Sequence, residues 1–119
     1  MKENFLLITG GTGGHVIPAK NFANYLSVKN INCSIAYYGG DIPKTNLITI
    51  CPSMCHFGEL DTGIPINEVL KFKDNNPDIK VFTYPADHGF NCDHRSQYNE
   101  VCSRIAYERT VEFLNKNLI

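Results

Sequence analysis

Ile79-Lys80-Val81-Phe82-Thr83-Tyr84-Pro85-Ala86-Asp87-His88-Gly89-Phe90 is the stretch on which the fold turns. Its first half is a compact run of β-branched and aromatic residues, preceded by the turn Asn75-Asn76-Pro77-Asp78 and closed by Pro85. Such a run predicts a strand over residues 79–84. Its second half is a loop that carries an ionisable residue, His88, just beyond the strand's C-terminal end. In parallel α/β sheets functional groups collect at that end, where the connecting loops open a crevice.

Three more runs read as strands. Residues 51–57 are apolar and stopped by Gly58, with Pro52 suited to a strand start rather than its centre. Residues 33–38 are stopped by Gly39-Gly40, and residues 4–9 by Gly10-Gly11-Thr12-Gly13-Gly14. Helical periodicity fills the intervals. Val16, Ala19, Phe22, Ala23 and Leu26 follow the glycine cluster, with Pro18 in the first turn. Residues 65–72 predict a short helix with Ile66, Val69 and Leu70 apolar. From Gln97 onward, Val101, Cys102, Ile105, Ala106, Phe113, Leu114 and Leu118 predict a long amphipathic helix. Strands alternating with helices imply right-handed βαβ crossovers and a parallel sheet. The expectation is one three-layer α/β domain over residues 1–119, with about four parallel strands near 4–9, 33–38, 51–57 and 79–84.

The bulk properties exclude several classes. With 11 basic and 12 acidic residues there is no surplus of positive charge to attract nucleic acid. The longest apolar runs, such as residues 5–8, are far too short to span a bilayer, and no signal-peptide pattern precedes them. The 5 cysteines are an odd number without a secreted-scaffold spacing, which points to reduced thiols and a cytoplasmic protein.

Asp61 lies beyond the third strand in Phe57-Gly58-Glu59-Leu60-Asp61, as His88 lies beyond the fourth. A carboxylate after one strand and a histidine after the next is the acid-then-base order of α/β-hydrolases. An imidazole there takes a proton from a nucleophile, while the acid fixes its tautomer and stabilises the imidazolium. Taken singly, an Asp after a glycine is more often a turn residue, and a lone His more often structural. Four blocks add specificity: Ala36-Tyr37-Tyr38-Gly39-Gly40; His56-Phe57-Gly58-Glu59-Leu60-Asp61 with Ile64-Pro65; His88-Gly89-Phe90-Asn91-Cys92; and Tyr107-Glu108-Arg109-Thr110. Through them residues 34–119 resemble the C-terminal part of the dienelactone hydrolase (carboxymethylenebutenolidase) family. The resemblance implies a partial α/β-hydrolase fold and a hydrolase of small-molecule esters or lactones that needs no cofactor or metal. Asp61 is then the triad acid and His88 the triad base.

The family's nucleophile is a cysteine in a Gly-x-Cys-x-Gly elbow. Here the upstream strand-turn-helix has Gly10-Gly11-Thr12-Gly13-Gly14, which places Thr12 in that position. Threonine is far less acidic than a thiol and its methyl group crowds a tight elbow. The same segment, Ile8-Thr9-Gly10-Gly11-Thr12-Gly13-Gly14-His15-Val16-Ile17-Pro18-Ala19, also resembles the N-terminus of the N-acetylglucosaminyl transferase that makes lipid II. That resemblance ends near Cys33 and implies a phosphate-binding loop of Gly10, Gly11, Thr12, Gly13, Gly14 and His15. The alternative reading is therefore a non-catalytic chimera of a transferase-like residues 1–33 and a hydrolase-like residues 34–119.

The hydrolase resemblance also implies a truncated chain, with part of the oxyanion hole missing. The first strand would then be an uncovered sheet edge open to self-association. Cys51 and Cys55 are expected on one strand as core thiols, and His88, Cys92 and His94 as a loop rather than a metal site. In the family a basic residue four positions after the histidine helps hold the substrate carboxylate. That position is Cys92 here, with Arg95 nearby.

Overall fold

The computed structural model describes the main chain of residues 5–9 and all of residues 32–44 and 51–118. Strands β1 (Phe5–Thr9), β2 (Cys33–Tyr37), β3 (Ser53–Gly58) and β4 (Lys80–Tyr84) form one sheet in the order β1-β2-β3-β4. Every neighbouring pair is parallel. Parallel neighbours need crossover connections. The one between β3 and β4 carries helix α1 (Ile66–Asn75), a 3-10 turn (Ile42–Lys44) follows β2, and helix α2 (Glu100–Asn117) follows β4. Among the described residues no helix is long and apolar enough to cross a membrane.

Element boundaries differ from the sequence expectation for local reasons. β3 begins at Ser53 rather than 51, so Cys51 lies ahead of the strand and only Cys55 is a buried strand thiol. Pro52, which has no N–H to donate, flanks the ladder and offers its carbonyl to the Ser34 amide at 2.9 Å. α1 runs on to Asn75, where the Asn76 side-chain amide caps the Phe72 carbonyl at 2.9 Å. α2 starts at Glu100 rather than near Gln97, because the Asn99 side chain accepts the Cys102 N–H at 3.0 Å and sets the N-cap.

Every residue of β2 and β3 is buried, as expected of parallel strands covered on both faces. α2 covers one face through Cys102, Ala106, Thr110 and Phe113, a stripe at helical spacing. Cys55 and Phe57 point to the opposite face and are equally buried, on the side of the α1 crossover. The layering is thus helix, sheet, helix. Two apolar residues expected in the helical stripes, Leu70 and Val101, are exposed.

Thr110 takes a place in the buried stripe because its hydroxyl is satisfied there. It meets Tyr37 Oη at 2.8 Å and His56 Nε2 at 3.1 Å, while His56 Nδ1 meets Tyr84 Oη at 2.8 Å. This chain of polar groups ties β2, β3 and β4 to α2. His56 has no solvent exposure. Burial, with the Arg109 guanidinium adding to it, pushes the imidazole down from 6.5 to about 3. A neutral ring donates at one nitrogen and accepts at the other, which rotatable hydroxyls can match. Arg109 lies over the Phe82 ring at 4.2 Å and closes the network on its β4 side.

The sign of the pH dependence follows. Unfolded, His56 titrates near 6.5; folded, it binds no proton until about 3, so the unfolded chain holds more protons in between. Its contribution is complete above the unfolded value and is lost as pH falls toward the folded one. The slope is at most about 1.4 kcal/mol per pH unit. Urea midpoints compared at about pH 7 and about pH 4 should fall more steeply for the wild type than for His56→Gln, which cannot titrate. Equal slopes would mean that His56 is not held neutral.

Candidate active site

The site is built where β3 and β4 end side by side. Gly58 closes β3, and a Cβ there would stand 2.4 Å from the Ala86 carbonyl oxygen and 3.0 Å from that of Asp87. Only glycine lets the two chain ends approach this closely. The pairing then continues past the strands, with Glu59 N–H donating to Tyr84 O at 2.8 Å and Leu60 N–H to Ala86 O at 3.0 Å. The loop after β3 and the loop after β4 are stitched together, one residue before Asp61 and two before His88.

Asp61 turns inward from that seam, its side chain 2% exposed. Its Oδ1 accepts the Gly63 N–H at 2.8 Å and the Ile64 N–H at 3.1 Å, and its Oδ2 meets His88 Nδ1 at 2.6 Å. A carboxylate only accepts, so Nδ1 carries the hydrogen, and in the neutral form of the ring the lone pair is on Nε2. The His88 side chain is 20% exposed, which leaves the imidazole within reach of solutes. An imidazole with this tautomer and this partner can take a proton at Nε2 and have the resulting charge stabilised from behind.

The loop that carries His88 is shaped locally. Its own N–H donates to Asp87 Oδ1 at 2.6 Å. Gly89 adopts a left-handed backbone, φ +80°, with the Arg95 side chain resting against it. Phe90 is fully buried and anchors the loop between Tyr38 and Tyr84. Tyr38, immediately after β2, has φ 40°, the left-handed region that costs a non-glycine residue about 1–3 kcal/mol. Its ring lies 4.9 Å from that of His88.

Asp61 and His88, predicted from their order in the chain, are therefore brought into direct contact. Thr12, with Gly10, Gly11, Gly13, Gly14 and His15, lies outside the described residues. His94 is turned outward, its side chain 93% exposed and 3.5 Å from Asp93. Among the described residues, no group of three or more His, Cys, Asp or Glu could hold a metal ion. Burial pushes Cys55 up to about 12 and raises Cys33 and Cys102, which disfavours the thiolate at each. Sequence reasoning passed over Tyr38 and the close approach at Gly58. Both stood in the quoted blocks, Tyr38 just before a glycine pair and Gly58 at a strand end.

A parallel sheet whose successive strand ends carry a paired acid and histidine defines an α/β-hydrolase architecture. Solved structures agree on the fold. A protein from Klebsiella pneumoniae assigned as a dienelactone hydrolase superposes with a TM-score of 0.66 at 23% identity, covering 89% of this chain and 50% of that one. An esterase from Pyrococcus furiosus gives a TM-score of 0.63 at 19% identity, covering 99% and 55%. The model of the dienelactone hydrolase family matches residues 18–118, and the chain belongs to that family. A Synechocystis protein assigned as a carboxymethylenebutenolidase is 28% identical, over 77% of this chain and 44% of its own length. The chain thus spans about half the length of the relatives it matches. The family match begins at residue 18, not near 34, and takes in Phe22, Ala23 and Leu26 while leaving residues 10–15 ahead of it.

Gly58→Ala forces the added methyl against a backbone carbonyl that has no rotamer by which to escape. The expected loss of stability is about 1–3 kcal/mol, read from urea midpoints of wild type and variant. A variant as stable as the wild type would mean that the two loops part without cost.

Proposed function

We propose that this chain hydrolyses ester or lactone bonds of a small organic molecule, with His88 as general base and Asp61 as the acid that orients it. One observation carries the reading: the 2.6 Å contact of Nδ1 with a carboxylate whose other oxygen is pinned by the Gly63 and Ile64 amides. A surface ion pair would leave that carboxylate free to rotate, whereas here its orientation is set before the histidine arrives. His88 Nε2 takes the nucleophile's proton and passes it to the leaving alkoxide. It then takes a proton from the water that cleaves the acyl-enzyme and returns it to the nucleophile. Asp61 stabilises the imidazolium without accepting the proton. The steps require no cofactor.

Thr12 is the candidate nucleophile, because Gly10-Gly11-Thr12-Gly13-Gly14 has the Gly-x-Thr-x-Gly pattern of an elbow between a strand run and a helical periodicity, ahead of the residues that the family match covers. A threonine hydroxyl depends more heavily on the general base than a thiol does, so its turnover is expected to be slow. Cys92, in place of the family's basic residue, favours esters or lactones without a carboxylate handle over dienelactones.

Hydrolysis of p-nitrophenyl acetate by the full chain tests the reading. His88→Ala should lower kcat/KM by at least about 10²-fold, with Asp61→Asn following it and both variants still folded. Thr12→Ala should abolish labelling by a fluorophosphonate probe, read by mass spectrometry. Identical rates for wild type and His88→Ala would overturn the proposal in favour of a non-catalytic chain.

A further inference from the structure

We propose that Tyr38 is a positioning residue that holds the His88 imidazole by a tilted ring-to-ring contact while Asp61 holds it at Nδ1. The inference rests on the reading of His88 as general base. The hydrogen bond from Nδ1 to the carboxylate leaves the ring able to rock about its Cβ–Cγ bond within the range that the bond tolerates. Aiming Nε2 at a nucleophile needs a second constraint, because a misplacement of about 1 Å can cost a hundredfold in rate.

The Tyr38 ring supplies that constraint. Its centroid is 4.9 Å from the imidazole centroid, with the planes tilted by 54°. An aromatic pair at this separation is in contact. Tyr38 is itself immobilised from several directions. Its N–H donates to His56 O at 2.7 Å, anchoring it to the end of β3. Its ring meets Phe90 edge-on at 5.6 Å and Tyr37 at 6.1 Å.

The backbone adds an independent argument. Among the described residues Tyr38 is the only non-glycine with a left-handed φ, at a point where glycine would adopt the turn without strain. The sheet alternation broken at this residue would otherwise set the side chain of residue 38 on the face opposite Tyr37. The left-handed turn redirects it over the loop end instead. What the strained tyrosine provides, and glycine would not, is the ring against His88. Strain retained next to a candidate base is the pattern of a preorganised site.

The test uses the full chain labelled with 15N-histidine. In the wild type, Tyr38 ring protons should show nuclear Overhauser contacts to the His88 imidazole, and the Nδ1–H resonance should be sharp. Tyr38→Phe keeps the ring and should keep both the resonance and kcat. Tyr38→Leu should broaden the resonance and lower kcat roughly tenfold to a hundredfold with KM unchanged. Wild-type kcat in Tyr38→Leu, or equal losses in Tyr38→Phe and Tyr38→Leu, would overturn the proposal. So would absence of the contacts in the wild type, a measurement that stands even if the leucine variant does not fold. If esters are hydrolysed equally without His88, the functional reading fails, while the Nδ1–H comparison still decides whether Tyr38 holds the ring.

Discussion

A missing carbon atom at residue 58 is the constraint around which the site is assembled. With no Cβ on Gly58, the Ala86 carbonyl comes within 2.4 Å of where that atom would stand. The backbones beyond β3 and β4 can then hydrogen-bond past the end of the sheet. Everything that follows depends on this seam. Asp61 and His88 lie 27 residues apart in the chain, and the seam turns that separation into a 2.6 Å contact. The geometry comes from main chain pressed on main chain, so it does not rely on flexible side chains to find each other.

His56 and His88 show how environment divides one residue type into different settings. His56 lies within β3, has both ring nitrogens satisfied by hydroxyls, and is pushed down by burial to about 3. A ring held neutral in that way cannot exchange protons near neutral pH, and it serves to tie α2 to the sheet. His88 lies in a loop, has a carboxylate on one nitrogen and is partly open to solvent. The same imidazole there keeps Nε2 for the proton transfer proposed for it. The polar core and the site touch through the Tyr38 amide, which bonds the His56 carbonyl while its ring rests on His88.

Much of this was legible in the linear sequence, for identifiable reasons. Strand runs closed by glycine or proline announced the parallel sheet, and their alternation with helical periodicity announced its layers. The glycine pair Gly39-Gly40 and the Asn75 to Asp78 turn marked where those runs had to stop. Asp61 and His88 were visible because both follow strands, in the order in which α/β-hydrolases carry acid and base. Less legible were the element ends, where single side chains decide. Asn99 and Asn76 capped their helices through bonds that a periodicity count does not register. Leu70 and Val101 fitted the apolar pattern yet face outward, while Thr110, polar by composition, is buried against Tyr37 and His56.

By itself, then, the sequence determined the class of fold and nominated the Asp61–His88 pair, because hydrophobic periodicity and residue order are properties of a chain. The tertiary structure alone decided that the pair is in contact, that Asp61 is held by the Gly63 and Ile64 amides, and that Tyr38 bears on the imidazole. It also decided that His56 is a buried strut rather than a second site residue. Each of these is a matter of distance and desolvation between groups far apart in the chain. No local pattern encodes such a quantity until the backbone has brought them together.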